Sequence, residues 1–173
     1  HARRVVARSG RPIRVLLTME DVTELRHAMD ARLRLASVVD SSQDAIVTTS
    51  PNHTISSWNG AAVKIFGYAE QEVLGKPISI LFFPDQQGDE EKVQARIARG
   101  ERVETYDTKH RRKDGSSVDV AVTISPLVDA NGKVVGASRI KRDISERKRA
   151  EEEIQAAKDS LERRVRLRTA ELE

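Results

Sequence analysis

The chain has 173 residues, of which 38% are hydrophobic and 33% charged, with one Trp, two Tyr, three Phe and no cysteine. That length holds one ordinary core with attached helices, since domains usually occupy about 100 to 200 residues, and the missing cysteine excludes disulfides, thiolate zinc sites and a cysteine nucleophile while suiting a reducing cytoplasm. The formal charge of +3 comes from 30 basic residues interleaved with 27 acidic ones, which argues against a nucleic-acid partner. In chain order, a turn at Gly10, Arg11 and Pro12 leads into an extended apolar run from Ile13 to Leu17. Asp21 then has the character of a helix N-cap with Glu24 three positions on, and Val22, Leu25, Met29, Leu33 and Ala36 recur at steps of three and four, which predicts a helix from Asp21 to Val39 with one apolar stripe.

From Ala45 the pattern becomes strand-rich. Ala45 to Thr49 and Thr54 to Trp58 flank Ser50-Pro51-Asn52-His53 and read as a hairpin. Short helices follow at Ala61 to Phe66 and Glu70 to Leu74, stopped by Gly67 and Gly75, and a further helix runs from Asp89 to Arg99. Three strands close the region: Val103 to His110, Ser117 to Pro126 and Val134 to Lys141, joined at Lys113-Asp114-Gly115 and Asp129-Ala130-Asn131-Gly132. Val118, Val120, Val122 and Ile124 alternate with polar or small residues, so this strand buries one face. The fold class is α+β, an antiparallel five-stranded sheet with short helices on one face.

From Ser145 the sequence is rich in Glu, Arg and Lys and helical in pattern. Ile154, Leu161, Val165 and Leu172 fall at the a/d spacing of a coiled coil, with Lys158 and Arg168 as polar interruptions of the seam. Apolar runs such as Ile78 to Phe83 are far shorter than the roughly 20 residues that span a bilayer, so no direct membrane insertion is expected. Beginning at His1 and ending on a charged helical pattern, the sequence reads as a section of a longer protein whose other parts leave room for a membrane anchor.

Several motifs in order from Leu35 to Arg149 resemble a PAS domain. Asp44-Ala45-Ile46-Val47 resembles the family's first strand, Ser57-Trp58-Asn59-Gly60-Ala61-Ala62 its second strand and turn, and Ile65-Phe66-Gly67-Tyr68 the short helix beyond. Glu72 to Pro77, the hairpin Lys113-Asp114-Gly115-Ser116 and the terminal signature Arg142-Asp143-Ile144-Ser145-Glu146-Arg147-Lys148 follow in place. Met19 to Glu24 resembles the exit of a preceding PAS unit, and Leu161 to Leu172 the connector into the dimerisation helices of sensor histidine kinases. The resemblance implies a tail of a preceding PAS-like unit over 1–20, a linker helix over 21–40, a PAS domain over 41–145 and an output helix over 146–173. It also implies a sensory or relay module of a two-component signalling protein, a parallel homodimer, with a downstream kinase or other output domain in the same chain and the enzymatic activity outside this section.

Family members hold haem, flavin, metabolites or nothing in a cavity between helices and sheet. The flavin photoadduct requires a cysteine that this chain lacks, and no histidine lies in the helix Asp89 to Arg99 where a haem-binding relative carries its ligand, so neither a cysteinyl-flavin adduct nor a protein-ligated haem is expected and no cofactor is assigned; a small non-covalent ligand remains compatible. Trp58, Asn59, Ile65, Phe66, Leu81, Val120 and Val122 are candidate pocket residues, although core packing of the apolar ones, Trp58 at the domain edge and an Asn59-Gly60 turn are the simpler reading. His53 and His110 read as solvated surface residues, and Asp89-Glu90-Glu91 as an exposed helix start. Asp143, with Ile144 and Ser145, stands where the last strand meets the helix, so its carboxylate is placed to set the angle between them. No metal site and no catalytic signature, neither a phosphate loop nor a nucleophile elbow, is present. Two other readings stay open: a ligand-free dimerisation spacer, and a section of a diguanylate cyclase or chemotaxis-type hybrid enzyme.

Overall fold

The computed structural model describes residues 23–170. The apolar run from Ile13 to Leu17, the tail assigned to 1–20, the Asp21 cap and Leu172 of the helical seam lie outside the described residues. The elements are α1 (Thr23–Ser41), β1 (Ala45–Thr49), β2 (Ile55–Trp58), α2 (Gly60–Phe66), α3 (Glu70–Val73), two single turns of 3₁₀ helix (Ile78–Leu81 and Pro84–Gln86), α4 (Gln87–Ala98), β3 (Val103–Arg111), β4 (Ser117–Val128), β5 (Val134–Asp143) and α5 (Ser145–Ala170).

The chain divides after Ala36 into two units. The first, as described, is the leading part of α1, on which Met29, Leu33 and Leu35 are exposed. The second holds the sheet and the remaining helices.

All sheet contacts are antiparallel and the strand order is β2-β1-β5-β4-β3. The last strand in sequence therefore lies at the centre, between β1 and β4. Alternation decides which face is buried. Val118, Val120, Val122 and Ile124 of β4 point inward, and Val122 and Ile124 stand opposite Lys141 and Arg139 of β5, which in turn face Ala45 and Val47 of β1. Helices α2 and α4 cover this inner face, and the core gathers Val47, Ile55, Trp58, Phe66, Val73, Ile78, Leu81 and Ile97 with the β4 valines.

Local signals explain the helix ends. Asn59 caps α2 by accepting from the Ala62 amide at 3.0 Å, and Gly67 ends it at φ +78°, a conformation that costs a glycine nothing. Gly136 on β5 is required for a different reason: a Cβ there would collide with the Thr49 carbonyl of the neighbouring strand. The 3₁₀ turn at Ile78–Leu81 has no counterpart in the sequence expectation, because an apolar run this short carries no decisive period.

Candidate functional site: the interior polar cluster and the strand-to-helix junction

Two of the largest fully buried side chains are Arg139 and Lys141, both on the inward face of β5. Arg139 is 1% exposed and donates through both terminal nitrogens to Glu90 of α4, at 3.2 and 2.5 Å. This corrects the expectation for the acidic run at the start of α4. Asp89 and Glu91 are exposed, but Glu90 turns inward, because the helix periodicity that places Val93 and Ile97 on the core side places position 90 there too.

His110 is also corrected: it is 3% exposed, not solvated. It lies on the inward face of β3 opposite Val118, its ring tilted against Phe66 and Phe82 at centroid distances of 6.1 and 5.1 Å. Its Nδ1 stands 3.2 Å from the Lys141 ammonium, which also sits 5.6 Å above the Phe82 ring. Burial, then the positive charges of Lys141 and Arg139, push the His110 pKa down to about 2, so the ring is neutral at physiological pH. Lys141 is pulled well below its ordinary value by burial and by Arg139, with Glu90 opposing. The interior thus sets one carboxylate against an arginine, a lysine and a histidine.

Beside this cluster lies a cavity of about 140 Å³, lined by Thr49, His53, Ile97, Gly136, Ala137 and Arg139 among others. His53 is in the β1–β2 turn at φ +61°, half-buried rather than solvated, and burial and Arg139 lower its pKa. A wider cleft of about 500 Å³ opens between α4 and β3, with Glu90, Tyr106 and His110 on its walls. Among the described residues no group of His, Asp and Glu is arranged to hold a metal ion.

Of the residues named as pocket candidates, Ile65 and Phe66 line a separate cleft of about 530 Å³ with Gly67 and Arg112. Phe66, Leu81, Val120 and Val122 are buried in the core and Ile65 packs against it. Trp58 is 4% exposed, packed 5.6 Å from Phe66 and donating to the Tyr68 carbonyl at 3.2 Å, which places it inside the domain rather than at its edge. Asn59 accepts from Ile46 N and Ala62 N and donates to the Val39 and Asp44 carbonyls. It joins the end of α1, the start of β1 and the start of α2 in one amide. None of the seven lines the 140 Å³ cavity.

At the exit of β5, Asp143 accepts from the Ser145 amide at 2.8 Å and from Arg112 at 3.4 Å. Arg112, at the end of the β3–β4 hairpin, also donates to the Ile65 carbonyl of α2. The Ile144 amide bonds to the Asp119 carbonyl at 3.0 Å and the Ile144 side chain is buried. The first turns of α5 are held by Lys148 to Asp119 at 2.7 Å and Arg147 to Asp107 at 2.8 Å. Beyond them the helix is exposed through Arg166, Ile154, Leu161 and Val165 included.

The sequence named Asp143 but missed Arg112, Glu90, Arg139 and Lys141. Alternation along β5 was the available signal: with Ala137 inward, positions 139 and 141 fall on the same core face even though they carry charges.

Comparison with known proteins agrees with this architecture. The PAS fold matches residues 33–144. Two-component system protein A of Emericella nidulans is 35% identical over 117 residues, 66% of this chain and 17% of that protein. The C4-dicarboxylate transport sensor protein DctS of Rhodobacter capsulatus is 33% identical, covering 64% of this chain and 17% of its own length, and the probable diguanylate cyclase DgcE of Escherichia coli is 28% identical over 84% of this chain and 14% of its own. The chain thus spans about a sixth of the length of these relatives. Among solved structures, a PAS domain from Colwellia psychrerythraea superposes with a TM-score of 0.61 at 27% identity, covering 68% of this chain and 99% of that one. A light-oxygen-voltage domain studied with a flavin analogue gives 0.58 at 28% identity, with 77% and 98% covered. This chain has no cysteine, so a cysteinyl adduct with a flavin cannot form in it. With the helix-covered antiparallel sheet, the central last strand and the matched 33–144 segment all in agreement, this chain belongs to the PAS family.

Proposed function

We propose that this chain is a sensory or relay module of a two-component signalling protein, which couples a signal in the PAS interior to the C-terminal helix. The observation that supports it is the continuity of β5: the strand that carries Arg139 and Lys141 into the core ends at Asp143, whose carboxylate holds the first amide of α5. A shift of β5 relative to α4 changes the geometry at Asp143 and hence the direction of α5. In this reading residues 21–40 are the entry linker, 41–145 the sensing unit and 146–173 the output helix, following a preceding PAS-like tail at 1–20.

The helix pairs in parallel with a second copy through Ile154, Leu161, Val165 and Leu172, and hands the signal to a kinase in the same protein, in the cytoplasm. The exposure of the first three residues, 70, 60 and 56%, supports such a seam. Moving a two-state output from nearly all off to nearly all on takes about 5.5 kcal/mol of differential interaction. Among the described residues no helix is long and apolar enough to cross a membrane. A second reading, a ligand-free spacer in a diguanylate cyclase, draws support from the 28% identity to DgcE.

The test combines sedimentation with spin-label distances across α5. The full chain is expected to dimerise, deletion of Glu151 to Glu173 to yield monomer, and Asp143→Ala to change the interhelix distances while leaving the PAS core folded. A deletion that leaves the dimer intact, or an Asp143→Ala chain with unaltered α5 distances, overturns the relay.

A further inference from the structure

Among the described residues, two buried side-chain polar atoms lack a hydrogen-bond partner, Thr49 Oγ1 and Arg139 Nε. Thr49 is 2% and Arg139 1% exposed, and both residues line the same 140 Å³ cavity. An orphaned buried polar group is destabilising because it keeps its desolvation cost without a partner, and two such groups on one cavity wall point to a ligand that satisfies them. Strand register brings them together: Thr49 faces Ala137 and Val47 faces Arg139 across the β1–β5 pair, so the hydroxyl and the guanidinium are near neighbours on the inward face.

The chemistry of the ligand follows from the walls. Glu90 engages both terminal nitrogens of Arg139, which leaves the Nε–H as the free donor, and Thr49 offers a second O–H. Two donors call for an acceptor oxygen pair. A carboxylate supplies such a pair, since its two oxygens can accept from a guanidinium N–H and a hydroxyl on adjacent strands. Ile97, Ala98, Val134, Gly136 and Ala137 form an apolar stretch of the wall, with Ser50, His53 and Gln94 as the wall's other polar members. Gly136 cannot be larger, since a Cβ there would meet the Thr49 backbone. The volume lies well below the roughly 300–1,000 Å³ of sites for drug-sized ligands.

We propose that this cavity is a binding site for a short-chain aliphatic monocarboxylate, whose carboxylate accepts from Arg139 Nε and Thr49 Oγ1 and whose few carbons lie against Ile97, Ala98 and Ala137. Such a ligand bridges β1 and β5 and shares the guanidinium with Glu90, so it changes the hold of α4 on the strand that ends at Asp143. It supplies the signal for the proposed relay and rests on that reading for its role.

The test is calorimetry and thermal melting of the 173-residue chain with propionate and butyrate, against propionamide and butyramide and a chloride control of equal ionic strength. The acids are expected to bind and raise the melting temperature, and the amides to bind at least about tenfold more weakly because a charge-assisted hydrogen bond is lost. Thr49→Val, which keeps the shape and removes the hydroxyl, is expected to keep the melting temperature of the free chain and weaken the acids about fivefold. Ala98→Leu, which fills the cavity from the end of α4, is expected to abolish binding in a folded chain. No binding of either acid, equal binding of the amides, or acid binding untouched by both substitutions overturns the site. Binding is read without reference to α5, so a site without an α5 response sinks the relay alone, and an Asp143 effect on α5 without acid binding sinks the site alone.

Discussion

Glu90 and Arg139 carry the most consequence per residue. An ion pair removed from water is held only if both charges keep their partners, so removal of one is expected to cost far more than the pair contributes. Glu90→Ala leaves a guanidinium in the core, with Lys141 and His110 close by, and is expected to lower stability by about 3–5 kcal/mol in urea unfolding; Glu90→Met combined with Arg139→Met restores most of it. His110 makes a pH prediction. Its pKa falls from 6.5 to about 2 on folding, so between those values the unfolded chain binds more protons than the folded one. Stability from this group is complete above 6.5 and is lost progressively as the pH falls below it. His110→Gln, which keeps an acceptor for Lys141 without a titrating ring, is expected to flatten the loss of urea midpoint between about pH 7 and pH 5.

At the scale of elements, the junctions are held by single side chains. Asn59 satisfies two amides and two carbonyls from three different elements. Asn59→Ala strips the α2 cap and removes the amide's bonds to Ile46 N and to the Val39 and Asp44 carbonyls, the Val39 carbonyl keeping the Ser42 amide, and it is expected to cost about 2–4 kcal/mol by chemical denaturation. A loss below about 0.5 kcal/mol would show that water replaces the amide without penalty. The hairpin turns were legible for a local reason: Asp114-Gly115 and Asn131-Gly132 supply glycines at φ +85° and +78°, a conformation that short-range chemistry selects. The helices α2 and α3 were legible from their glycine stops, and their ends moved by at most one residue. The Asp143 junction was visible as a motif, whereas Arg112 was not. Nothing in the local sequence tells that a hairpin arginine reaches both the Ile65 carbonyl and the Asp143 carboxylate.

For the whole molecule, the exposed apolar residues of α5 set the expectation. Lys158 stands within the predicted seam between Ile154 and Leu161, where a buried ammonium weakens pairing. If the seam forms, Lys158→Leu tightens the dimer about tenfold in analytical ultracentrifugation, since one desolvated charge is exchanged for an apolar contact. An unchanged dissociation constant would place the dimer contact elsewhere, with the exposed Ile140 and Val135 of the sheet as the next apolar surface to test.

Sequence alone determined the order and kind of the described strands and α-helices, the inward face of β4 and the family, because alternation, glycine stops and turn residues act over a few positions and do not depend on distant contacts. The tertiary structure decided the candidate site. Glu90, His110, Arg139 and Lys141 come from α4, β3 and β5, and charged residues at such positions read as solvent-facing until the fold shows which partners surround them. Strand order was the determining factor: placing β5 between β1 and β4 puts two basic side chains at the centre of the covered face. A buried charge persists there only because a carboxylate 49 residues away in sequence reaches it.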